Sequence, residues 1–295
     1  MTDYTHGDIL TNGIRLHVVQ AGPDNGPLVI LLHGFPEFWY GWHQQIDALV
    51  AQGFRVWVPD QRGYNLSDQP QEIKDYNLDV LAADIVGLID AAGAEKAYLA
   101  GHDWGAAVAW WLATKYPQRL HKLVIVNVPH GSVMMHHLRS NLSQLRKSWY
   151  MFFFQLPGLP EMSLSNNNFA TAAKSLTSSS RPGTFSDEDL DRYREAWGRS
   201  DRLRGPINWY RALFRAAPPQ PADTKVHIPT LIIWGAQDAF LGVDMARESL
   251  DYCDDGRLEL IENATHWVLH EESQRTSQLM ADFFKADYLT RSEPS

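Results

Sequence analysis

AGHDWG (Ala100–Gly105) lies between two runs of different pattern. The run before it, residues 96–100, is apolar after its first residue and typical of a short buried strand, and the run after it, residues 106–113, is typical of a helix. Gly101 and Gly105 permit a tight turn and close packing of the helix on the strand. The stretch therefore predicts a strand, a sharp turn that carries Asp103, and a helix.

The rest of the chain repeats this alternation of strand and helix. Helical patterns such as residues 78–92 lie between most of the apolar runs, and Asn12-Gly13 predicts a hairpin near the start. Strands that are apolar throughout and separated by helices form parallel sheets covered on both faces. We predict an α/β fold with a mostly parallel central sheet flanked by helices. The other predicted strands are residues 28–32, 54–58, 123–126, 230–234 and 258–261.

Residues 129–221 interrupt the alternation because they contain no apolar strand. Their patterns are helical, with loops rich in Ser, Asn and Gly at 163–168 and 177–183. Ser186 and the three acidic residues after it predict the start of a helix, and Pro218–Pro221 is typical of a linker. We predict a core of residues 1–128 and 222–295 with residues 129–221 inserted as a helical lid.

Composition restricts the class of protein further. The formal net charge is −9, which argues against nucleic acid or an anionic membrane surface as a partner. The one cysteine, Cys253, can form no disulfide within the chain and no cysteine-rich zinc site. We see no signal peptide and no apolar run long enough to span a bilayer, so we expect a cytoplasmic protein. The sequence leaves open whether it is a monomer or a homodimer.

Two further polar residues follow predicted strands as Asp103 does. Asp238 comes after the strand at 230–234, and His266 comes after the strand at 258–261. The carboxyl ends of parallel strands meet at one edge of a sheet, where ligands bind. Aspartates also cap helices, and a lone histidine is more often structural. The chain order of nucleophile, acid and histidine nevertheless favours a catalytic triad.

A second loop reaches the same edge of the predicted sheet. His33-Gly34-Phe35-Pro36 follows the strand at 28–32. We expect the backbone N–H groups of Phe35 and Trp104 to form an oxyanion hole, and His33 to shape the loop rather than react.

Together these motifs resemble the epoxide hydrolases of the α/β-hydrolase fold, over essentially the whole chain. The segments at 148–158 and 204–211 resemble the lid segments that carry the family's two tyrosines, here Tyr150 and Tyr210. The pattern alone favours a core position over a catalytic role for each tyrosine. The resemblance implies conversion of epoxides to vicinal diols without a metal or organic cofactor. It also implies that Tyr150 and Tyr210 activate the epoxide oxygen.

A carboxylate in the nucleophile position also indicates the type of substrate. Attack on an acyl carbon would give an anhydride, whereas attack on an sp³ carbon gives an alkyl ester that water can hydrolyse. His266 would activate that water, with Asp238 orienting the imidazole. An epoxide oxygen needs a proton donor, which a phenol can be at neutral pH. A halide needs only N–H donors.

Three alternatives follow from the same residues. A haloalkane or haloacid dehalogenase shares the scaffold and a tryptophan at position 104, but Phe35 offers no side-chain donor to a halide. A ligand-binding protein without activity could keep the fold. A serine esterase lacks its nucleophile here.

We expect a small hydrophobic epoxide as the substrate. The side chains predicted to line its pocket are Phe38, Trp39, Trp104, Met151 and Phe154.

Overall fold

The computed structural model describes residues 3–199 and 201–286. Its centre is an eight-stranded sheet in the order β1-β2-β4-β3-β5-β6-β7-β8. The first two strands form the predicted hairpin, β2 pairs antiparallel with β4, and the remaining neighbours pair in parallel. The strands are β1 Thr5–Thr11, β2 Ile14–Ala21, β3 Leu28–Leu32, β4 Arg55–Pro59, β5 Ala97–His102, β6 Leu120–Val126, β7 Thr230–Gly235 and β8 Gly256–Ile261. The predicted α/β fold with a mostly parallel sheet is confirmed.

Helices cover both faces of this sheet. In chain order they are α1 His43–Val50, α2 Leu78–Ala91, α3 Trp104–Lys115, α4 Gly131–Ser140, α5 Leu142–Lys147, α6 Trp149–Phe153, α7 Leu159–Ser179, α8 Asp187–Arg199, α9 Arg204–Arg215, α10 Asp244–Ser249, α11 Val268–Glu271 and α12 Ser273–Lys285. Short 3₁₀ turns occur at Trp39–Trp42, Ile73–Tyr76, Pro117–Arg119, Asp201–Leu203 and Leu250–Tyr252.

The hydrophobic core is divided between the two faces of the sheet. Ile85 of α2 and Val108 of α3 belong to the larger cluster, which continues into the lid. Ile46 of α1 and Phe284 of α12 belong to the cluster on the opposite face. β5 lies between β3 and β6 with all six residues buried, and its first four residues are apolar.

The strand β5 continues two residues further than its apolar run predicts. Gly101 pairs with Ile125 of β6, and His102 pairs with Val126. The pairing with β6 gives the backbone of Gly101 and His102 hydrogen-bond partners. A hydrophobic pattern cannot predict this extension, because it reports side chains and not backbone pairing. The turn therefore begins directly at Asp103, at the carboxyl edge of the sheet.

Six helices, α4 to α9, lie between β6 and β7, and the described residues of this region form no strand. The loop predicted at 163–168 is shorter in the structure. It is a break in α7 at Asn166–Phe169, where Asn167, Asn168 and Phe169 have positive φ angles. The loop predicted at 177–183 begins later, because α7 continues to Ser179. We keep the name lid for residues 129–221, whose outer boundaries stay a prediction.

Across residues 3–199 and 201–286, the chain forms no helix long and apolar enough to cross a membrane.

The close packing of α3 on β3 gives a first prediction. A Cβ atom at Gly105 would lie 2.1 Å from the carbonyl oxygen of Leu32. We expect Gly105→Ala to lower the free energy of unfolding by about 1–3 kcal/mol, because backbone must move to admit the methyl group. Urea denaturation would measure this loss. The matched control is Gly198→Ala on α8, where a Cβ meets no atom within 4 Å. Equal stability of the Gly105→Ala variant and the unsubstituted protein would contradict the packing described here.

Candidate active site

Asp103 occupies the turn between β5 and α3 in a conformation that side chains rarely adopt, with φ 49° and ψ −125°. Its carboxylate makes no capping hydrogen bond to α3. Instead, Oδ1 accepts a hydrogen bond of 2.6 Å from the backbone N–H of Phe35. The loop after β3 approaches closely because residue 34 is glycine: a Cβ there would lie 2.2 Å from the Cβ of Asp103. The backbone thus holds one carboxylate oxygen and leaves the other available.

The second oxygen of Asp103 faces His266. The distance from Asp103 Oδ2 to His266 Nε2 is 3.5 Å, and His266 Nδ1 lies 2.7 Å from Asp238 Oδ2. His266 and Asp238 are buried. The three side chains that chain order selects therefore lie together at the carboxyl edge of the sheet.

Asp238 is held by three hydrogen bonds besides that of His266. Its Oδ1 accepts from the N–H groups of Phe240 and Leu241 at 2.7 and 3.0 Å, and Asn127 Nδ2 donates to Oδ2 at 2.7 Å. Burial acts to raise the pKa of Asp238, but the charge and hydrogen bond of His266 and the donor Asn127 lower it overall. Asn127 was not among the site residues predicted from the sequence. It directly follows β6, so the strand-end rule that selected Asp103 and Asp238 could have found it.

His266 is charged in this arrangement. Burial acts to lower its pKa, but the charge of Asp238 and the hydrogen bonds with Asp103 and Asp238 raise it to about 10. At neutral pH the site therefore holds an imidazolium between two carboxylates. This pKa lies above that of a histidine in the unfolded chain, so protonation of His266 stabilises the fold. The stabilisation is complete at pH values below about 6.5. That contribution is lost as the pH rises through about 10.

Two tyrosines of the lid face this charged group. Tyr150 lies on α6 and Tyr210 on α9, with their ring centroids 5.9 Å apart. Burial raises the pKa of each hydroxyl, and the negative charge of Asp103 raises both further. Both phenols therefore stay protonated at neutral pH.

Aromatic rings surround the space between the triad and the tyrosines. Phe35, Trp104 and Phe154 pack on Tyr210 with centroid distances of 5.4, 4.9 and 4.9 Å. Met151 is buried beside Tyr150 on the same helix. The structure thus brings Trp104 and Phe154 of the predicted pocket together around Tyr210.

Phe240 is an aromatic neighbour that the sequence analysis did not select. Its ring lies 5.7 Å from that of Tyr150 and 5.4 Å from that of His266, so it links the lid to the triad. Its position two residues after Asp238 was the only available signal.

Phe38 and Trp39 have other neighbours. Phe38 packs on Tyr193 of α8 at 5.4 Å, and Trp39 packs on Tyr4 and His6 of the N-terminal hairpin at 6.0 and 5.4 Å. Within the described residues, neither has a ring contact with Tyr150 or Tyr210. These contacts place Trp39 at the hairpin.

A buried network behind the triad connects three parts of the chain through Glu37. Tyr193 and His270 donate to Glu37 Oε1 at 2.6 and 2.7 Å, and His102 Nδ1 lies 3.1 Å from Oε2. His102 Nε2 lies 2.9 Å from the carbonyl oxygen of His266. Burial would raise the pKa of Glu37, but the charge of His270 and these hydrogen bonds hold it well below its usual range. The network ties α8 of the lid to the loop that carries His266.

In the described part of the chain, no three His, Cys, Asp or Glu side chains are grouped so that they could hold a metal ion.

Known proteins share both the sequence and this fold. The model of the α/β-hydrolase fold family matches residues 27–273. Human epoxide hydrolase 4 is 38% identical over 285 residues, which are 95% of this chain and 78% of that protein. The chain belongs to the epoxide hydrolase family of the α/β-hydrolase fold. The family resemblance stated from the sequence is confirmed.

Two further members of the superfamily extend this epoxide hydrolase comparison. The AB hydrolase superfamily protein YfhM of Bacillus subtilis (strain 168) is 46% identical over 275 residues, covering 93% of this chain and 96% of that protein. The crystal structure of a Bacillus megaterium epoxide hydrolase in complex with an inhibitor superposes with a TM-score of 0.86. It is 30% identical and covers 95% of this chain and 100% of that chain.

The charge coupling in the triad gives a second prediction. In the variant Asp103→Asn, we expect the pKa of His266 to fall below its value in the unsubstituted protein, because one of two negative charges is gone. NMR titration of the histidine rings would measure it, with the signal assigned from His266→Gln. Asp187→Asn, an exposed change on α8, is the control. An unchanged pKa in Asp103→Asn would contradict the coupling.

Proposed function

We propose that this protein hydrolyses epoxides to vicinal diols through an alkyl ester formed on Asp103. The observation that carries the proposal is the surroundings of Asp103. Its carboxylate lies 3.5 Å from His266, and its negative charge raises the pKa of the protonated Tyr150 and Tyr210. The names of the relatives support the same activity.

The hydrogen bonds of Asp103 suggest which oxygen reacts. Oδ1 already accepts the N–H of Phe35, in the position of a carbonyl oxygen in an oxyanion hole. Oδ2 is therefore the nucleophile and attacks an epoxide carbon, forming the C–O bond of the ester as the epoxide C–O bond breaks. In a later tetrahedral intermediate, the N–H groups of Phe35 and Trp104 would hold the oxyanion.

Tyr150 and Tyr210 act as the acids of this first step. They hold the epoxide oxygen by hydrogen bonds, and one of them protonates it as the ring opens. The resulting tyrosinate recovers a proton from the imidazolium of His266 by way of water. After these two proton transfers, the opened substrate carries a new hydroxyl group and His266 is neutral.

Ester formation also converts His266 from an acid to a base. Once Asp103 is an ester, its negative charge no longer raises the pKa of His266, so the imidazole releases its proton more readily. The neutral imidazole then takes a proton from water while the oxygen of that water attacks the ester carbonyl carbon. The bond between the carbonyl carbon and Oδ2 then breaks, and the diol leaves with Oδ2 as one of its oxygens. The departing alkoxide takes the proton of the new carboxylic acid. Asp103 is again a carboxylate, and His266 is again an imidazolium.

The aromatic surroundings indicate the kind of epoxide. Phe35, Trp104, Phe154 and Phe240 offer apolar surfaces on which an aryl or alkyl group can pack. We therefore propose a small hydrophobic epoxide as the substrate.

The covalent step gives a third prediction. In His266→Gln the ester should form but hydrolyse slowly, so the intact mass of the protein should rise by the mass of the epoxide. Mass spectrometry after incubation with a terminal aryl epoxide would detect it. Asp103→Asn, which lacks the nucleophile, is the control and should show no adduct. The proposal fails if His266→Gln remains unmodified while the unsubstituted protein forms diol.

The tyrosines give a fourth prediction. Tyr150→Phe and Tyr210→Phe should each reduce kcat/KM for the epoxide by about 10²–10⁴, the usual contribution of general acid catalysis. Tyr116→Phe, a tyrosine at the end of α3, is the matched control and should keep full activity.

Diol and chloride should be assayed together, with the epoxide and a matched chloroalkane. Diol without chloride is the expected result. Chloride without diol would favour the dehalogenase alternative and leave both tyrosines as lid core.

A further inference from the structure

The outer face of the lid carries a concentration of exposed apolar side chains. Nine large apolar residues of the described chain are exposed, and six of them lie between residues 149 and 214. Trp149 exposes 63% of its surface and Met162 exposes 60%. Such a concentration is typical of an interaction surface rather than of scattered surface residues. The six residues, which we call the lid patch, are Trp149, Phe152, Leu156, Leu159, Met162 and Phe214.

The lid patch is continuous across two lid elements. The ring of Phe152 on α6 lies 5.7 Å from that of Phe214 on α9. Arg215 next to Phe214 donates a hydrogen bond to the carbonyl oxygen of Gln155, which joins the end of α9 to the segment after α6. A groove of about 590 Å³ borders the patch, with Met162 and Arg215 in its wall.

The charge of the lid is opposite to that of the core. Residues 129–221 contain 12 Lys and Arg against 7 Asp and Glu, a net charge of +5, whereas the rest of the chain has 14 against 28, a net charge of −14. No acidic residue occurs from Trp104 to Pro160. Arg139, Arg146 and Arg215 are exposed on the elements that carry or precede the patch. The net charge of −9, which argued against an anionic surface, is therefore the sum of an acidic core and a basic lid.

We propose that the lid patch docks this protein on an anionic lipid surface. Aromatic and aliphatic side chains enter the interface of a bilayer, and neighbouring arginines bind its anionic headgroups. The acidic core is repelled by the anionic headgroups, which orients the molecule with the lid toward the lipid. A second copy fits less well, because a two-fold contact between two lid patches would bring arginines of like charge together.

One helix connects this surface with the candidate active site. Trp149 and Phe152 of α6 are exposed, whereas Met151 is buried and Tyr150 packs on Tyr210 inside the lid. The docked protein would hold its epoxide-binding tyrosine one helix away from lipid, in which apolar epoxides dissolve. This consequence rests on the proposed function, but the docking itself does not.

Vesicle flotation tests the apolar part of the proposal. The full chain should float with phosphatidylcholine vesicles that contain phosphatidylglycerol and much less with phosphatidylcholine alone. The double variant Trp149→Gln/Phe152→Gln should lower the partition coefficient by about tenfold or more, because two large apolar side chains no longer enter the interface. Leu10→Gln on β1, where the leucine is 82% exposed, is the matched control and should bind as before.

A second pair of variants tests the charged part. Arg146→Gln should lower binding to the anionic vesicles by about fivefold, and added salt should weaken binding of the unsubstituted protein. Arg275→Gln on α12, which removes the same charge from an exposed position of the core, should have little effect.

Two results would overturn the proposal. One is that the protein does not float with anionic vesicles. The other is a dimer in sedimentation velocity that Trp149→Gln/Phe152→Gln dissociates, since a second copy would then cover the patch. Diol formation from a water-soluble epoxide, measured for every variant, should be unchanged. Vesicle binding without any diol formation by the unsubstituted protein would reject the proposed function and leave the docking intact.

Discussion

The structure depends most on the position of one negative charge, that of Asp103. A positive φ angle turns the carboxylate away from α3, and the absence of a Cβ at Gly34 allows the loop after β3 to donate the N–H of Phe35 to it. The second oxygen faces His266 and, with Asp238, makes that histidine a cation. Burial raises the pKa of both lid tyrosines, and the same charge raises it further. This one carboxylate thus contributes to the raised pKa of the base and of both acids.

The lid supplies Tyr150 and Tyr210 to the site, and buried polar contacts hold it to the core. Tyr193 of α8 donates to Glu37, which also receives His102 and His270. Because His102 continues to the carbonyl oxygen of His266, the lid and the loop of the base share one hydrogen-bonded network. This network attaches α8 of the lid to the core beside the triad.

Much of this arrangement could be predicted from the sequence. The strands were identifiable because parallel strands buried on both faces are apolar throughout, and the triad followed from polar residues that succeed those strands in order. Tyr150 and Tyr210 were selected by family resemblance, because their aromatic surroundings are equally typical of a core. The Glu37 network could not be predicted, since its members are 233 residues apart at most and meet only through the tertiary fold.

The direction of the Trp39 side chain could not be predicted from the sequence. Its neighbour in sequence belongs to the loop beside the nucleophile, but its own backbone N–H is fixed by Asp60 and its ring packs on the N-terminal hairpin. Sequence proximity to a catalytic loop does not specify the direction of a side chain, which depends on the element that packs against it.

Isotope analysis of a single turnover tests the role of Asp103 most directly. The protein, in excess over a terminal epoxide, would be mixed in water enriched in oxygen-18, and the diol and the peptide containing Asp103 would be analysed by mass spectrometry. The account predicts a diol without the heavy isotope and its incorporation into the carboxylate of Asp103. A heavy diol with an unlabelled Asp103 would contradict it, because His266 would then direct water at the epoxide itself.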